Sequence, residues 1–151
     1  MKAITVIQPW ATLLATGNKR IETRSWKTNY RGEILIHAGK KDPLWGICMM
    51  TEDAKERAFR RLDLPEVFNR FQKFQTGEII GKANLVNCLQ IDEAMAALIK
   101  EQHPDEYAFG DYTIGRYAWV MEEPVLFSNP IPASGKQGLW NWDGEIQNGS
   151  V

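Results

Sequence analysis

A chain of 151 residues with 44% hydrophobic and 25% charged side chains has the size and balance of one folded domain, which excludes a disordered, collagenous or coiled-coil polypeptide. Its formal net charge of −1 points to neither a uniformly basic nor a uniformly acidic surface. No apolar run reaches the ~18 to 20 residues of a membrane-spanning helix and no signal-type stretch opens the chain, so a cytoplasmic protein without a membrane partner is expected.

Ala3 to Ile7 alternates and is rich in β-branched residues, the pattern of a strand. Gln8-Pro9 interrupts it, and Trp10, Leu13 and Leu14 recur at helical spacing before Gly17 ends a short helix. Ile21 to Trp26 reads as extended, and an Arg31-Gly32 turn leads into Glu33 to Ala38, a strand expected inside a sheet. Residues 43–73 read as helical, with a break at Leu64-Pro65 and a second helix around Val67, Phe68 and Phe71; together they form a helical insertion. After Thr76-Gly77 comes a long strand to Ile91, with Gly81 marking a bulge. Asp92 caps a helix through Lys100, His103-Pro104 closes it, and Arg116 to Met121 is a further strand. Short extended pieces follow up to Trp142. The expected class is α+β, a small β-barrel or sheet with helices packed at its openings, as one domain over residues 1–145 with a tail at 146–151.

Some chemistries find no support. Cys48 and Cys88 lack Cys-x-x-Cys spacing and read as small hydrophobes, His37 and His103 are the only histidines, and there is no Gly-rich phosphate loop. No metal and no cofactor is expected.

Charge is unevenly spread. Residues 1–41 carry eight basic side chains against Glu22 and Glu33, while residues 92–123 carry eight acidic ones against Lys100 and Arg116. A local positive field concentrates anions even at near-zero net charge, although such residues also simply solvate an exposed face. The densest polar run is Gly17-Asn18-Lys19-Arg20-Ile21-Glu22-Thr23-Arg24-Ser25-Trp26. On a strand, Arg20, Glu22, Arg24 and Trp26 share one face, and Glu22 between two arginines would hold Arg24 for bidentate work on a phosphate or base edge. The plain alternative is a ladder of surface ion pairs.

The spacing Gly17-x-Lys19-x-x-Glu22-x-Arg24 resembles the G-x-K-x-x-E-x-R signature of the ASCH domain family, relatives of the PUA RNA-binding fold. Ile7-Gln8-Pro9-Trp10-Ala11 before it and Tyr30-Arg31-Gly32 with Ile36-His37-Ala38 after it are similar to the cointegrator-type branch. The resemblance implies a PUA-like β-barrel whose signature lines a cleft, and recognition of RNA, DNA or a nucleotide. It also implies a second possibility, a hydrolase in the same cleft acting on a modified nucleoside of the acetylated-cytidine type or on RNA as a ribonuclease. In the amidohydrolase branch a threonine nucleophile occupies the position held here by Glu22, so this chain departs from that pattern.

Candidate residues follow from both lines. Lys19, Arg24, Lys27, Arg31 and Lys40 are cations for a phosphate backbone, and Trp26 offers a face for a base, with Trp10 divided between the same task and the core. Lys19 and Glu22 are the pair for acid–base chemistry in the enzymatic alternative. His37 is either a buried, hydrogen-bonded histidine or a group at the cleft edge. Gly135-Lys136-Gln137-Gly138 reads as a tight loop, presenting Lys136 to the cleft or merely closing the barrel with Trp140 and Trp142. Met49 and Met50 read as core. A third class, a protein-interaction adaptor, would use the helical insertion and the acidic stretch.

Overall fold

A computed structural model describes residues 1–63 and 74–147. Six strands form one mixed sheet: β1 (Lys2–Val6), β2 (Ile21–Arg24), β3 (Gly32–Ala38), β4 (Glu78–Gln90), β5 (Tyr117–Pro132) and β6 (Leu139–Asn141). Their spatial order is β2-β5-β4-β3-β1-β6, with β1 and β3 parallel and the other neighbours antiparallel. The expected interior strand 33–38 is β3, flanked on both sides.

The sheet curls into a half-barrel because its two longest strands are bulged. Opposite β3, the register slips between Ile36 and His37, at the Ile80-Gly81 step. Between β4 and β5 it slips three times, and each slip bends the ribbon. The curl brings edge strand β2 round to the far side, where Arg24 donates from Nη2 to the Thr5 carbonyl of β1 at 2.9 Å. Inside the curl lies the main core: Ile4, Ile34, Ile36, Leu85 and Trp119, all with 0% exposure, together with α1 (Trp10–Ala15).

The remaining helices cover the openings. The expected run from residue 43 is two helices, α2 (Pro43–Met49) and α3 (Glu52–Arg61); Thr51 breaks it by turning extended and accepting from the Ala54 amide as an N-cap. The second helix expected around Val67 to Phe71 lies outside the described residues. Asp92 caps α4 (Glu93–Gln102) as expected, and His103-Pro104 opens a further helix not anticipated from sequence, α5 (Pro104–Phe109). Arg57 and Arg61 of α3 grip Asp105 of α5 at 2.7 and 2.6 Å, holding the two helices together.

Three further expectations change. Cys48 is exposed on α2 and Cys88 is half-buried. Met50, where the backbone turns extended past the end of α2, is core, but Met49 in the last turn is 62% exposed. Ile146, read as the first tail residue, packs with Trp142 against Phe127 and Trp140. Among the described residues no helix is long and apolar enough to cross a membrane.

Candidate nucleic-acid interface

The signature residues are placed by the turn after α1. Gly17 has φ +77°, which frees the chain to reverse, and a side chain there would strike Pro124 at 2.8 Å. The Lys19 amide then donates to Leu13 O, which directs the Lys19 side chain inward rather than to solvent. Lys19 is 1% exposed. Its ammonium donates to Ile21 O and to Glu22 Oε1, the latter at 3.3 Å, and Glu22 Oε2 accepts from Arg24 Nη2 at 2.9 Å.

Glu22 thus lies between Lys19 and Arg24, not between two arginines. Arg20 precedes β2, is exposed, and has its amide bound to Glu106. Burial alone would raise the Glu22 pKa, but Lys19 and Arg24 outweigh it and hold the carboxyl below its ordinary value. Glu106 is the reverse case: burial raises its pKa although it accepts from the Arg20 and Ile21 amides.

Two cavities meet at this triad. A basic compartment of about 760 Å³ is lined by Arg24, Trp26, His37, Lys40 and Lys136, and no carboxylate is among its described walls. An aromatic compartment of about 670 Å³ is walled by Trp10, Trp45, Met49 and Phe109, with Glu22, Arg24, Asp111 and Arg116 as its charged groups. Thr5 and Arg24 line both, so the cavities form one groove with Arg24 at the junction. Each is in the size range of small-molecule sites.

The Gly135–Gly138 loop closes the basic compartment. Gly135 lies so near that a Cβ would sit 2.6 Å from His37 Cε1 and 2.7 Å from Thr5 Oγ1. Trp26 is 37% exposed and stands edge-on against Trp119 at 4.7 Å, keeping part of its ring toward the compartment.

Five of the residues singled out from sequence therefore converge: Arg24, Trp26, His37, Lys40 and Lys136. Lys19 lies behind them, sealed by Glu22. Lys27 and Arg31 line neither compartment; Arg31 Nη1 donates to Thr28 O and Tyr30 O, so its guanidinium braces its own loop. Lys19 and Glu22, the pair named for acid–base work, do meet, but the Lys19 side chain has 0% exposure. Sequence reading missed Trp45, Phe109, Asp111 and Arg116. Trp45 and Met49, four apart on α2, were the available signal; the others are assembled only by tertiary packing.

His37 is 1% exposed and its tautomer is fixed by its partners. Nε2 must donate to Ala133 O at 2.8 Å, leaving Nδ1 to accept from Thr5 Oγ1 at 3.2 Å, while Trp140 Nε1 donates to that same hydroxyl. Burial lowers its pKa, the Ala133 carbonyl partly opposes this, and Lys40 lowers it further. In the unfolded chain His37 takes a proton near its ordinary ~6.5, whereas the native chain takes it only at lower pH. Its contribution to stability is complete above that value and is lost as pH falls through it toward the native pKa. The melting temperature is expected to drop between pH 7.5 and 5.5, and to drop less in His37→Gln; identical pH profiles would refute the assignment.

Comparison with known proteins agrees with this architecture. The human and mouse proteins named Activating signal cointegrator 1 are each 29% identical to it, over 147 and 143 residues respectively. Those alignments take in 97% and 95% of the chain but only 23% and 22% of the relatives, so the chain spans less than a quarter of their length. The crystal structure of ASCH from Zymomonas mobilis superposes with a TM-score of 0.51 at 16% identity, covering 87% of this chain and 72% of that one, a likeness of fold. The family profile described as ASCH domain matches residues 4–130, from β1 through nearly all of β5, enclosing the Lys19-Glu22-Arg24 triad and every wall of the groove except the 134–138 loop; the chain belongs to the ASCH domain family.

Proposed function

We propose that the chain binds nucleic acid, RNA in the first instance, or a nucleotide, in the groove centred on Arg24. The observation that carries this reading is the junction of a carboxylate-free cationic compartment with an aromatic one. Phosphates demand hydrogen-bond donors with positive charge, which Arg24, Lys40 and Lys136 supply; unstacked bases demand flat apolar faces, which Trp10, Trp45 and Trp26 supply. A ligand carrying both groups a few ångströms apart is a nucleotide unit. The buried position of Lys19 gives the hydrolytic alternative no exposed base at that residue, and binding is the reading preferred.

Three cations imply about three phosphate contacts, so affinity for a single strand falls roughly as the square of salt concentration. Fluorescence anisotropy with a labelled single-stranded hexanucleotide tests this. The double variant Lys40→Glu/Lys136→Glu is expected to weaken binding on the order of 100-fold at low salt and to flatten the salt dependence. Equal binding by the wild type and this variant, or no binding to RNA, DNA or mononucleotide at low salt, would remove the proposal.

A further inference from the structure

The three charged signature residues form a linear relay, and their order has an electrostatic consequence. Exposure of the side chains rises along it, from 0% at Lys19 to 11% at Glu22 and 23% at Arg24. Of the three, Arg24 alone lines both compartments. A carboxylate 2.9 Å from a guanidinium cancels most of its attraction for a third ion; the Glu22–Arg24 pair alone would meet an incoming phosphate as a dipole. With Lys19 on the other carboxylate oxygen, the buried end of the relay is neutral and one net positive charge is expressed at the groove.

We propose that Lys19 is a positioning and charge-balancing residue of the anion site: it touches no ligand, and acts through Glu22 so that the charge of Arg24 is expressed at the groove and its guanidinium stays fixed. The inference rests on the reading of the groove as a nucleic-acid site. Arg24 is oriented as this requires. Its Nη2 is committed to Glu22 and to Thr5 O, which leaves the Nε and Nη1 hydrogens as the donors available to a ligand. The pKa of Glu22, held down by both cations, keeps the central carboxylate ionised so that the relay stays intact.

Charge balance and direct contact predict opposite results when Glu22 is neutralised in the absence of the Lys19 ammonium. With the labelled hexanucleotide, K19M is expected to bind roughly 10- to 50-fold more weakly than wild type, E22Q at least as tightly as wild type, and K19M/E22Q to recover to within about threefold. K19R, which keeps the charge, is expected to bind like wild type. Circular dichroism identifies any variant that does not fold, and where K19M is such a variant the comparison of K19M/E22Q with wild type decides. A double variant as weak as K19M overturns the inference, since it follows if Lys19 meets the ligand itself or serves packing alone; an E22Q variant as weak as R24Q overturns it too, since the Glu22 charge would then be required in its own right.

Titration with inorganic pyrophosphate, read at the Arg24 side-chain NMR signals and assigned with R24K, separates the two proposals. The same rank order with pyrophosphate but no hexanucleotide binding sinks the nucleic-acid reading and leaves the charge-balance inference standing. Pyrophosphate affinity that is absent, or equal across the variants, overturns the inference.

Discussion

Replacing Trp119 by alanine is expected to cost about 3–5 kcal/mol of stability, the range for truncating a large buried aromatic, and to lower the melting temperature on the order of 10 °C. Trp119 has 0% exposure, lies on β5 between Glu22 of β2 and Cys88 of β4, and packs in the core inside the curl. Its second task concerns the site. The Trp119 ring meets Trp26 edge to face at 4.7 Å and 87°, and its Nε1 donates to Trp26 O at 3.3 Å, so it fixes both ring and backbone of the residue that flanks the basic compartment. Trp119→Ala should therefore also release Trp26, weakening hexanucleotide binding at temperatures where the variant is still folded. Trp119→Phe keeps most of the packing but loses the indole donor, and should fall between the two. Urea denaturation and anisotropy on all three proteins check this; a loss below about 1 kcal/mol for the alanine variant would mean that the core refills the space.

What the sequence disclosed and what it concealed divide along the range of the interactions responsible. Strands β1 and β3, the Asp92 cap and the Gly17 turn are set by residues within a few positions of each other, so periodicity and capping chemistry revealed them. Strand β5 runs past its expected end at Met121, through Glu122-Glu123-Pro124 and Pro130, residues that ordinarily interrupt a ladder. The sheet accommodates them at register slips: Glu122 and Val125 pair with Asn84 and Lys82 while Pro124 lies between them, and Glu123 takes φ +51° at the bulge. Proline lacks a ladder donor, but a bulge does not ask for one.

The site was legible to the same depth. Alternation along β2 put Glu22 and Arg24 together, and the glycines around Lys136 announced a loop that presents it. The direction of Lys19 was not readable, because it is decided by an amide bond to Leu13 and by the closure of α1 over the sheet. Nor could local charge separate Arg24 from Arg31. Both are arginines in a basic run, yet one is aimed by a carboxylate and the other is spent on its own loop carbonyls. Asp111 and Arg116 join the aromatic compartment from the segment between α5 and β5, about 90 residues from Glu22 in sequence, where no periodicity could reach.

Gly46→Ala is expected to invert the usual sign of a glycine-to-alanine change in a helix. At an open helical position alanine is favoured by up to about 1 kcal/mol. Here a Cβ would lie 1.9 Å from Gln8 O and 3.1 Å from Trp10 Cζ3, so helix and turn cannot both stay where they are. Gln8 cannot yield cheaply. It has 0% exposure, its Oε1 accepts from the Thr12 amide and hydroxyl at 2.9 Å, and its Nε2 donates to Gln75 O. The helix must move instead, and α2 carries Trp45 and Met49 on the wall of the aromatic compartment. The net result should be a loss of about 1–3 kcal/mol, as overpacking outweighs the propensity gain. Hexanucleotide binding should weaken roughly tenfold, while pyrophosphate binding, which needs only the basic compartment, should stay near wild type. Cys48→Ala, on the exposed side of the same helix, should leave all three measurements unchanged. Chemical denaturation with paired titrations reads the difference; a Gly46→Ala variant as stable as wild type would show that α2 does not bear on Gln8, and equal losses for both ligands would show that the two compartments do not divide base from phosphate.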